Sequence, residues 1–453
     1  MRQFRSADTF LKFLIAVVFS LGLALPTRAE DAAPKLDVDV FSLENGLQVV
    51  VIPQRRVPIV THLLAYKVGG ADEPAGLSGM AHFFEHLMFK STKNHAAGEL
   101  DAAVQAVGGD HNAFTNHDST VYYQKIPPEA LPQMMAFEAD RMRNLILDDE
   151  TIENERRVVL EERLMRTDNN PNGILGEAFS ATLYVNHPYG RPVIGWRHEI
   201  ETVTREQLTD FYNRYYAPNN AILVVAGDVD TETVKKLAEE TYGKVPAGPE
   251  LPPRVRPKEP PSRTERTVTL ADDRVSIPSF SQAWIAPAAY SDERHLNDAL
   301  AVLGEILGGS ERSRLHRRLV IKERIAARVF VYLYGSRDYA QFVVGADPIN
   351  ADALETVEAA IREELEAVIR DGVTAEELET AKKVYASAII FQRENLMRRA
   401  VQYASDLIEG ATVDELDDTR ERLDAVTLEN IQEAAKRYLL LDKSVKAYLK
   451  PAK

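Results

Sequence analysis

The stretch Gly79–Phe89 constrains this chain more than any other, because its residues fit one local structure. Placed on a helix at about 100° per residue, His82, Glu85 and His86 share one narrow face. The opposite side is covered by apolar residues, namely Met80, Phe83, Phe84, Leu87 and Met88. Such a helix must bury its apolar side in a core, and Ser78 is placed to cap its first turn. The sequence therefore predicts two imidazoles and a carboxylate projecting from a firmly anchored helix.

The His-x-x-Glu-His pattern of this helix is the inverse of the commoner His-Glu-x-x-His order of zinc enzymes. Imidazoles at positions i and i+4 can bind one metal ion, and a carboxylate between them can act as a base toward water. A single histidine on a helix is usually structural or solvated. Two on one polar stripe, backed by an apolar face, favour a zinc site instead.

A catalytic zinc site needs a third protein ligand, and histidine, aspartate and glutamate are all open for that position. The predicted helix Asp149–Arg166 is rich in glutamate. Glu155 and Glu162 are two helical turns apart and can face one site, whereas Glu161 points about 100° away from Glu162. The simpler interpretation is a solvated, glutamate-rich helix, and it holds for most of these residues.

The length and charge of the chain limit its partners. The chain has 453 residues, enough for two or three domains, and a formal net charge of −15. A strongly acidic body argues against nucleic acid or an anionic membrane as partner, and weakly favours basic or neutral peptides. The sequence contains no cysteine, which excludes disulfide bonds and thiol catalysis.

Residues 1–29 are typical of a secretory signal peptide. Arg2 and Arg5 make the start basic, the run Phe13–Leu25 is apolar, and small residues precede a cleavage site after Ala29. The run of 13 apolar residues is too short for a comfortable membrane span, although an uncleaved anchor is the alternative. A secreted chain without cysteine fits a bacterial periplasm, and we expect no stable membrane span after cleavage.

A proline-rich linker at residues 246–262 divides the remaining chain into parts of similar size. We predict a metal-binding domain at 38–245 and a second homologous domain at 263–453, which keeps only the scaffold. Strand, acidic loop and helix recur in the second part, but its helix around Asn297–Leu303 carries no His-x-x-Glu-His. This pattern indicates a duplication in which one half has lost the metal site.

Several of these segments together resemble the pitrilysin/insulinase family of zinc peptidases, which includes the mitochondrial processing peptidases. The segment His82–His86 is followed, 76 residues after its last histidine, by Glu162 within Glu155–Glu162. Further matches are Ala75–Gly79, Gly108-Gly109, Asn112–Thr115 and His187–Pro192. The resemblance extends over essentially all of the chain that follows the signal peptide.

The resemblance implies an α+β fold of two homologous domains, each a mostly antiparallel sheet packed by helices, which together form a clamshell. It also implies one Zn²⁺ per chain, bound by His82, His86 and Glu162. Glu85 would be the catalytic base, and Glu155 a supporting carboxylate near the site. Zinc would polarise the scissile carbonyl, while Glu85 takes a proton from water and delivers it to the leaving amine.

The family also uses an exposed strand edge for its peptide substrate. In this chain that edge falls within a predicted strand, Asn112–Ile126, at Asn112, Ala113, Phe114 and Thr115. An extended peptide would pair with the edge through main-chain hydrogen bonds, with little sequence preference. The alternative is that Asn112 is an ordinary turn residue after Gly108-Gly109.

One part of the family pattern is missing. Active members carry an arginine and, seven residues later, a tyrosine in the second half, where they contact substrate and help to stabilise the oxyanion. Those positions are Val320 and Ala327 here. Arginines and tyrosines lie nearby but out of register, namely Arg318, Arg328, Tyr332 and Tyr334. We therefore expect the zinc-bearing subunit of a heterodimer, whose homologous partner supplies the arginine and the tyrosine.

The predicted function is a periplasmic zinc endopeptidase that hydrolyses short or unfolded peptides. Two alternatives stay open: a non-catalytic scaffold subunit of a larger complex, and a peptidase dedicated to one precursor peptide. The intact motif favours catalysis over the scaffold, because family members built into respiratory complexes have typically lost it. The general and the dedicated peptidase share every one of these residues.

Overall fold

The structure is a computed structural model that describes residues 38–452, so the predicted signal peptide lies outside the described residues. We call residues 38–245 the first half and residues 263–452 the second half. Within the described range, no helix is both long enough and apolar enough to cross a membrane.

The first half is built on one mixed sheet. Its strands are β1 (Asp39–Ser42), β2 (Gln48–Pro53), β3 (Val60–Tyr66), β4 (Asp110–Thr115), β5 (Thr120–Ile126) and β6 (Ala221–Gly227). They lie in the order β1-β2-β6-β3-β5-β4, so β4 is an edge strand. The pair β2 and β6 is parallel and the other pairs are antiparallel.

The helices of the first half are α1 (Met80–Leu87), α2 (Glu99–Ala106), α3 (Leu131–Asn144), α4 (Asp149–Arg163), α5 (Pro171–Leu183), α6 (Arg197–Ile200), α7 (Arg205–Tyr215) and α8 (Thr231–Glu240). Most of them cover one face of this sheet, whereas α5 packs on the sheet of the second half. The predicted apolar side of α1 is buried as expected. Phe84 stacks on Phe211 and Tyr212 of α7, with ring centroids 5.8 and 5.7 Å apart. These contacts fix α1 against the core.

The second half repeats this arrangement. Its strands are β7 (Arg266–Asp272), β8 (Ser279–Pro287), β9 (Ala326–Tyr334), β10 (Tyr339–Pro348) and β11 (Val445–Pro451). Its helices are α9 (Arg294–Gly304), α10 (Leu354–Asp371), α11 (Ala375–Glu394), α12 (Leu396–Glu409), α13 (Thr419–Ala425) and α14 (Leu428–Tyr438). The strand order is β7-β11-β8-β10-β9, with β7 and β11 parallel and the rest antiparallel.

The two sheets have the same connectivity once β1 is set aside. In each, the first and last of the remaining strands pair in parallel, and the third strand in sequence ends up at one edge. In each, the strand beside that parallel pair leads into a helix, β3 into α1 and β8 into α9. The predicted fold class, two homologous α+β domains with mostly antiparallel sheets, is therefore confirmed.

Each half lends one helix to the sheet of the other. From the second half, α12 places Ala400, Tyr403 and Ala404 in the core formed by the inner face of the first sheet. In return, α5 of the first half places Leu175 beside Ala447 of β11. Because both exchanged contacts are apolar and buried, the halves are held together by core packing as well as by the linker.

The linker is extended, as predicted, but it is also bound to both halves. The guanidinium of Arg256 forms ion pairs with Asp72 and Asp118 of the first half and with Asp338 of the second, and its side chain is only 6% exposed. Glu259 accepts hydrogen bonds from three successive main-chain amides at residues 185–187, at 2.8–2.9 Å. A proline-rich composition alone does not predict these attachments.

Two local predictions were wrong. The segment Asn112–Ile126 is not one strand, because the Asn116 side chain accepts hydrogen bonds from the amides of Asp118 and Ser119 and closes a hairpin turn. Ser78 does not cap α1 either: its hydroxyl oxygen accepts from the Trp196 amide, and Gly79 is the residue before the helix.

Candidate active site

A buried glutamate holds the start of α1. Glu73, only 4% exposed, accepts hydrogen bonds from the amides of Gly79 and Ala81, both at 2.8 Å. Gly79 has φ of +90°, and a Cβ there would lie 2.6 Å from the Ile194 carbonyl oxygen. Only glycine fits that position. Glu73 and Gly79, at the two ends of the loop that precedes α1, therefore fix the position and direction of the His-x-x-Glu-His face.

His82, His86 and Glu162 converge, as the resemblance implied. One ligand atom from each lies within 4.8 Å of the others. Glu162 Oε2 is 3.1 Å from His86 Nε2 and 3.6 Å from His82 Nε2. Two imidazole nitrogens and one carboxylate oxygen make a three-ligand set that leaves a fourth position open, which is the arrangement of catalytic zinc sites. The residues present therefore fit zinc.

The charges around these residues support this interpretation. Burial, together with the charge of His86, lowers the pKa of His82 to about 4. Burial also opposes the charge on His86, but its hydrogen bonds to Glu155 and Glu162 prevail and raise its pKa to about 9. His86 thus lies between two carboxylates, and their charge favours a cation at this position.

Carboxylate neighbours of the cluster are themselves paired with cations. Glu155 Oε1 lies 2.9 Å from His86 Nδ1, and its other oxygen lies 2.5 Å from the Lys90 ammonium. Arg166 is 2.8 Å from the second oxygen of Glu162. Lys90 and Arg166 were not predicted. The i, i+4 spacing from Glu162 was a signal that could have revealed Arg166. Lys90 lies beyond the end of α1, where helical spacing does not predict its contact with Glu155.

Glu85 lies beside the cluster and touches the edge strand. The Thr115 hydroxyl donates a hydrogen bond of 2.7 Å to Glu85 Oε2. Burial raises the pKa of Glu85, and the Thr115 hydrogen bond offsets part of that rise. A carboxylate with a raised pKa is suited to taking and returning a proton near neutral pH.

The predicted substrate strand forms part of β4, whose outer edge has no neighbouring strand in the described sheet. The Asn116 amide donates to the Ser119 carbonyl, so by the alternation of an antiparallel ladder Ala113 and Thr115 turn their main-chain groups outward. The Asn112 side chain accepts a hydrogen bond of 2.8 Å from the Ala113 amide. The Phe114 side chain packs on the face of the sheet that is covered by α12.

Two further histidines are close in sequence but belong to other contacts. His111 Nε2 lies 3.0 Å from Asp101, and His117 Nε2 lies 3.1 Å from the Arg191 carbonyl oxygen. Neither is in the metal cluster.

The second half offers no substitute in register for the missing pair. Val320 lies in a π-helical turn and Ala327 in β9. Arg318 forms ion pairs with glutamates of its own half, and Arg328 forms an ion pair with Asp347. Tyr332 and Tyr334 are each about half exposed on β9, at 49%.

Comparison with known proteins agrees with this geometry. A family model described as Insulinase (Peptidase family M16) matches residues 49–196, and one described as Peptidase M16 inactive domain matches residues 202–385. The Zinc protease PqqE of Helicobacter pylori is 32% identical over 442 residues, covering 96% of this chain and 98% of that protein.

Solved structures give the same result. The crystal structure of a protease from Helicobacter pylori has a TM-score of 0.85 at 31% identity, covering 92% of this chain and 100% of that one. The periplasmic protease PqqL of Escherichia coli has a TM-score of 0.78 at 23% identity over 92% of this chain and 48% of that one, a likeness of fold alone. From the motif geometry and these matches, the chain belongs to the insulinase (M16) family of peptidases.

Proposed function

We propose that this chain is a zinc-dependent endopeptidase, with His82, His86 and Glu162 as ligands and Glu85 as catalytic base. The observation that carries the proposal is the convergence of those three ligand atoms within 4.8 Å, beside a base that also contacts an open strand edge. A zinc ion held there would supply Lewis acidity, polarising a peptide carbonyl and lowering the pKa of water.

The protein's own residues would then act on the peptide. An extended substrate adds to the outer edge of β4, where its carbonyl takes the place of Asn112 Oδ1 on the Ala113 amide. Glu85 accepts a proton from the attacking water and delivers it to the leaving amine. The hydrogen bond from the Thr115 hydroxyl holds the Glu85 carboxylate in position. Glu155 fixes the ring of His86 through Nδ1.

We further propose that the chain acts in the periplasm on short or unfolded peptides, as the zinc-bearing subunit of a heterodimer. The basic start and apolar run of residues 1–29 support export. The valine and alanine at positions 320 and 327 support a homologous partner that brings the arginine and tyrosine. We also retain the predicted domains, 38–245 for the metal site and 263–453 for the inactive counterpart.

The decisive experiment compares zinc content and peptide hydrolysis of the wild type and Glu85→Gln. We expect the variant to keep zinc and to lose hydrolysis by about a thousandfold or more, because the base is gone while the ligands remain. Glu129→Gln, a change at an exposed glutamate, is the matched control and should behave as wild type. A wild type without zinc would favour the scaffold alternative, and a Glu85→Gln protein that cleaves normally would refute the mechanism.

The partner is tested separately. Hydrolysis by the purified chain should be weak and should rise when a homologous second chain carrying the arginine and tyrosine is added. Full activity of the chain alone would refute the heterodimer. Cleavage of one precursor peptide only, among a panel of unrelated peptides, would identify the dedicated peptidase.

A further inference from the structure

A large cavity lies where the first half, the linker and the second half meet. Its volume is about 1100 Å³. Its wall includes Lys67 at the end of β3, Arg214 of α7, Arg254 and Arg256 of the linker, and Arg337 of the second half. None of the metal-cluster residues lines it, so it is distinct from the proposed catalytic centre.

The cavity is positively charged in a protein that is acidic as a whole. Six lining side chains are lysine or arginine, against the carboxylates of Asp72, Glu73 and Glu250. Asp72 is already paired with both linker arginines, and Asp118 and Asp338, which do not line the cavity, also pair with Arg256, so the positive surplus lies on the other four cations. Burial raises the pKa of Glu73 to about 8, so this group carries little charge at neutral pH. The surplus of positive charge in the cavity wall is thus opposite in sign to the formal net charge of the chain, which is −15.

Several of these cations lack a counterion. Neither Lys67 nor Arg214 forms an ion pair with any carboxylate between residues 38 and 452. Burial and the charges of Arg254 and Arg337 lower the pKa of Lys67. Arg256 has three carboxylate partners, but its buried Nε has no acceptor in the described chain. Cations held together without a counterion are stabilised when an anion binds between them.

The size and lining of the cavity indicate the kind of anion. Pockets for small molecules measure about 300–1,000 Å³, so a single inorganic anion would leave most of this space empty. Apolar side chains of the linker and of α12, including Leu251, Val255 and Leu407, share the wall with the cations. A chain that carries both carboxylates and apolar atoms complements such a surface.

We propose that this cavity binds an acidic segment of a peptide substrate, with Lys67 and Arg214 as its main contacts to the carboxylates. That the bound peptide is a substrate rests on the proposed peptidase function; the binding itself requires no cleavage. Net charge alone predicts a preference for basic or neutral peptides, and the cavity points to the opposite preference for peptides long enough to reach it.

The test measures peptide binding in a background that cannot cleave. Two labelled peptides, one with a run of glutamates and one with glutamine at those positions, are titrated by fluorescence anisotropy into the full chain carrying Glu85→Gln. We expect the acidic peptide to bind more tightly, and Lys67→Ser combined with Arg214→Ser to weaken it by roughly tenfold or more. The same double variant should leave the Kd of the glutamine peptide unchanged.

The matched control removes one arginine and one lysine elsewhere. Arg55→Ser with Lys436→Ser changes two exposed cations outside the cavity and should leave both peptides unaffected. Equal losses in the cavity and control variants would overturn the proposal, and so would equal binding of the two peptides by the unaltered cavity. Lys67→Arg, which keeps the charge, should retain the preference, and its loss in that variant would also count against the site.

Two arms separate the remaining outcomes. If inorganic pyrophosphate binds the unaltered cavity more tightly than the acidic peptide does, the ligand class is wrong. If acid-selective binding holds while wild type hydrolyses no peptide even with a homologous second chain that carries the arginine and tyrosine, the peptidase function fails and the binding site stands. If hydrolysis holds without acid-selective binding, the site alone fails.

Discussion

Replacing Glu155 by glutamine should weaken zinc binding by about a hundredfold without removing any proposed ligand. Glutamine keeps the size of the side chain and can still accept a hydrogen bond from His86 Nδ1. What it loses is the negative charge that makes His86 a better nitrogen donor. The variant therefore isolates the electrostatic support of one ligand from its geometry.

The expected magnitude follows from the surroundings of the carboxylate. Groups that support a metal-binding histidine are worth about 10–100-fold in affinity. The Glu155 side chain is only 6% exposed and lies 2.9 Å from His86 Nδ1, so solvent screens little of the interaction. Its removal also leaves the Lys90 ammonium, 2.5 Å from Glu155 Oε2, as an uncompensated positive charge beside the metal. Both effects oppose zinc, which favours the upper limit, about 2.7 kcal/mol.

The assay is a zinc titration against a chelator of known affinity, with the purified chain. Glu155→Gln combined with Lys90→Met removes both charges, so it should recover part of the loss and end about tenfold weaker than wild type. Glu161→Gln, on the exposed side of α4, is the control and should bind zinc as wild type does. If Glu155→Gln binds zinc within about twofold of wild type, the charge of Glu155 does not support His86 and the reasoning is refuted.

Three further outcomes are expected. Thr115→Val, which removes the hydrogen bond to Glu85, should lower kcat by about tenfold with zinc content unchanged, whereas Thr115→Ser should retain most activity; steady-state kinetics and metal analysis decide. Arg256→Met, which leaves three carboxylates without their shared cation, should lower the free energy of unfolding by about 3–5 kcal/mol in urea denaturation. Burial raises the pKa of Asp406 to about 6, so this group should lower the free energy of unfolding of the wild type as pH rises from about 4 to 6. Asp406→Asn lacks this loss and should gain up to about 3 kcal/mol relative to wild type between pH 4 and pH 7, whereas an unchanged difference would show that Asp406 titrates normally.

Local periodicity predicted part of the candidate site, and the family resemblance selected Glu162 as the third ligand. The apolar positions of Gly79–Phe89 predicted the buried side of α1, because a helix buries residues at fixed angular spacing. The spacing of Glu155 and Glu162 predicted that both face one point, and both contact His86. In each case the relevant geometry lies within one helix, where sequence distance determines spatial distance.

Contacts between distant segments were beyond that reasoning. The capping of α1 by Glu73 depends on a loop whose shape follows from packing against residues near Ile194. The helix α5 was not predicted, since its mostly apolar sequence has no polar stripe to reveal a surface helix. The apolar side chains of α5 pack on β7 and β11 of the other half, so the reason for its composition lies in segments far away in the sequence. The cavity beneath the linker is likewise assembled from segments far apart in sequence.

The packing of the second half explains why its counterpart of α1 does not carry a site. On α1, Glu85 and His86 stay partly exposed beside the open edge of β4. On α9, the corresponding helix, Asn297 and Asp298 are both buried: Asn297 donates 2.7 Å to the Pro287 carbonyl oxygen, and Asp298 faces Arg422 of α13. The helices α13 and α14 both pack against α9. Placing His-x-x-Glu-His on α9 would therefore not restore a site by itself, because its polar positions are already buried in contacts with Pro287 and Arg422, and the third ligand would have to come from another helix.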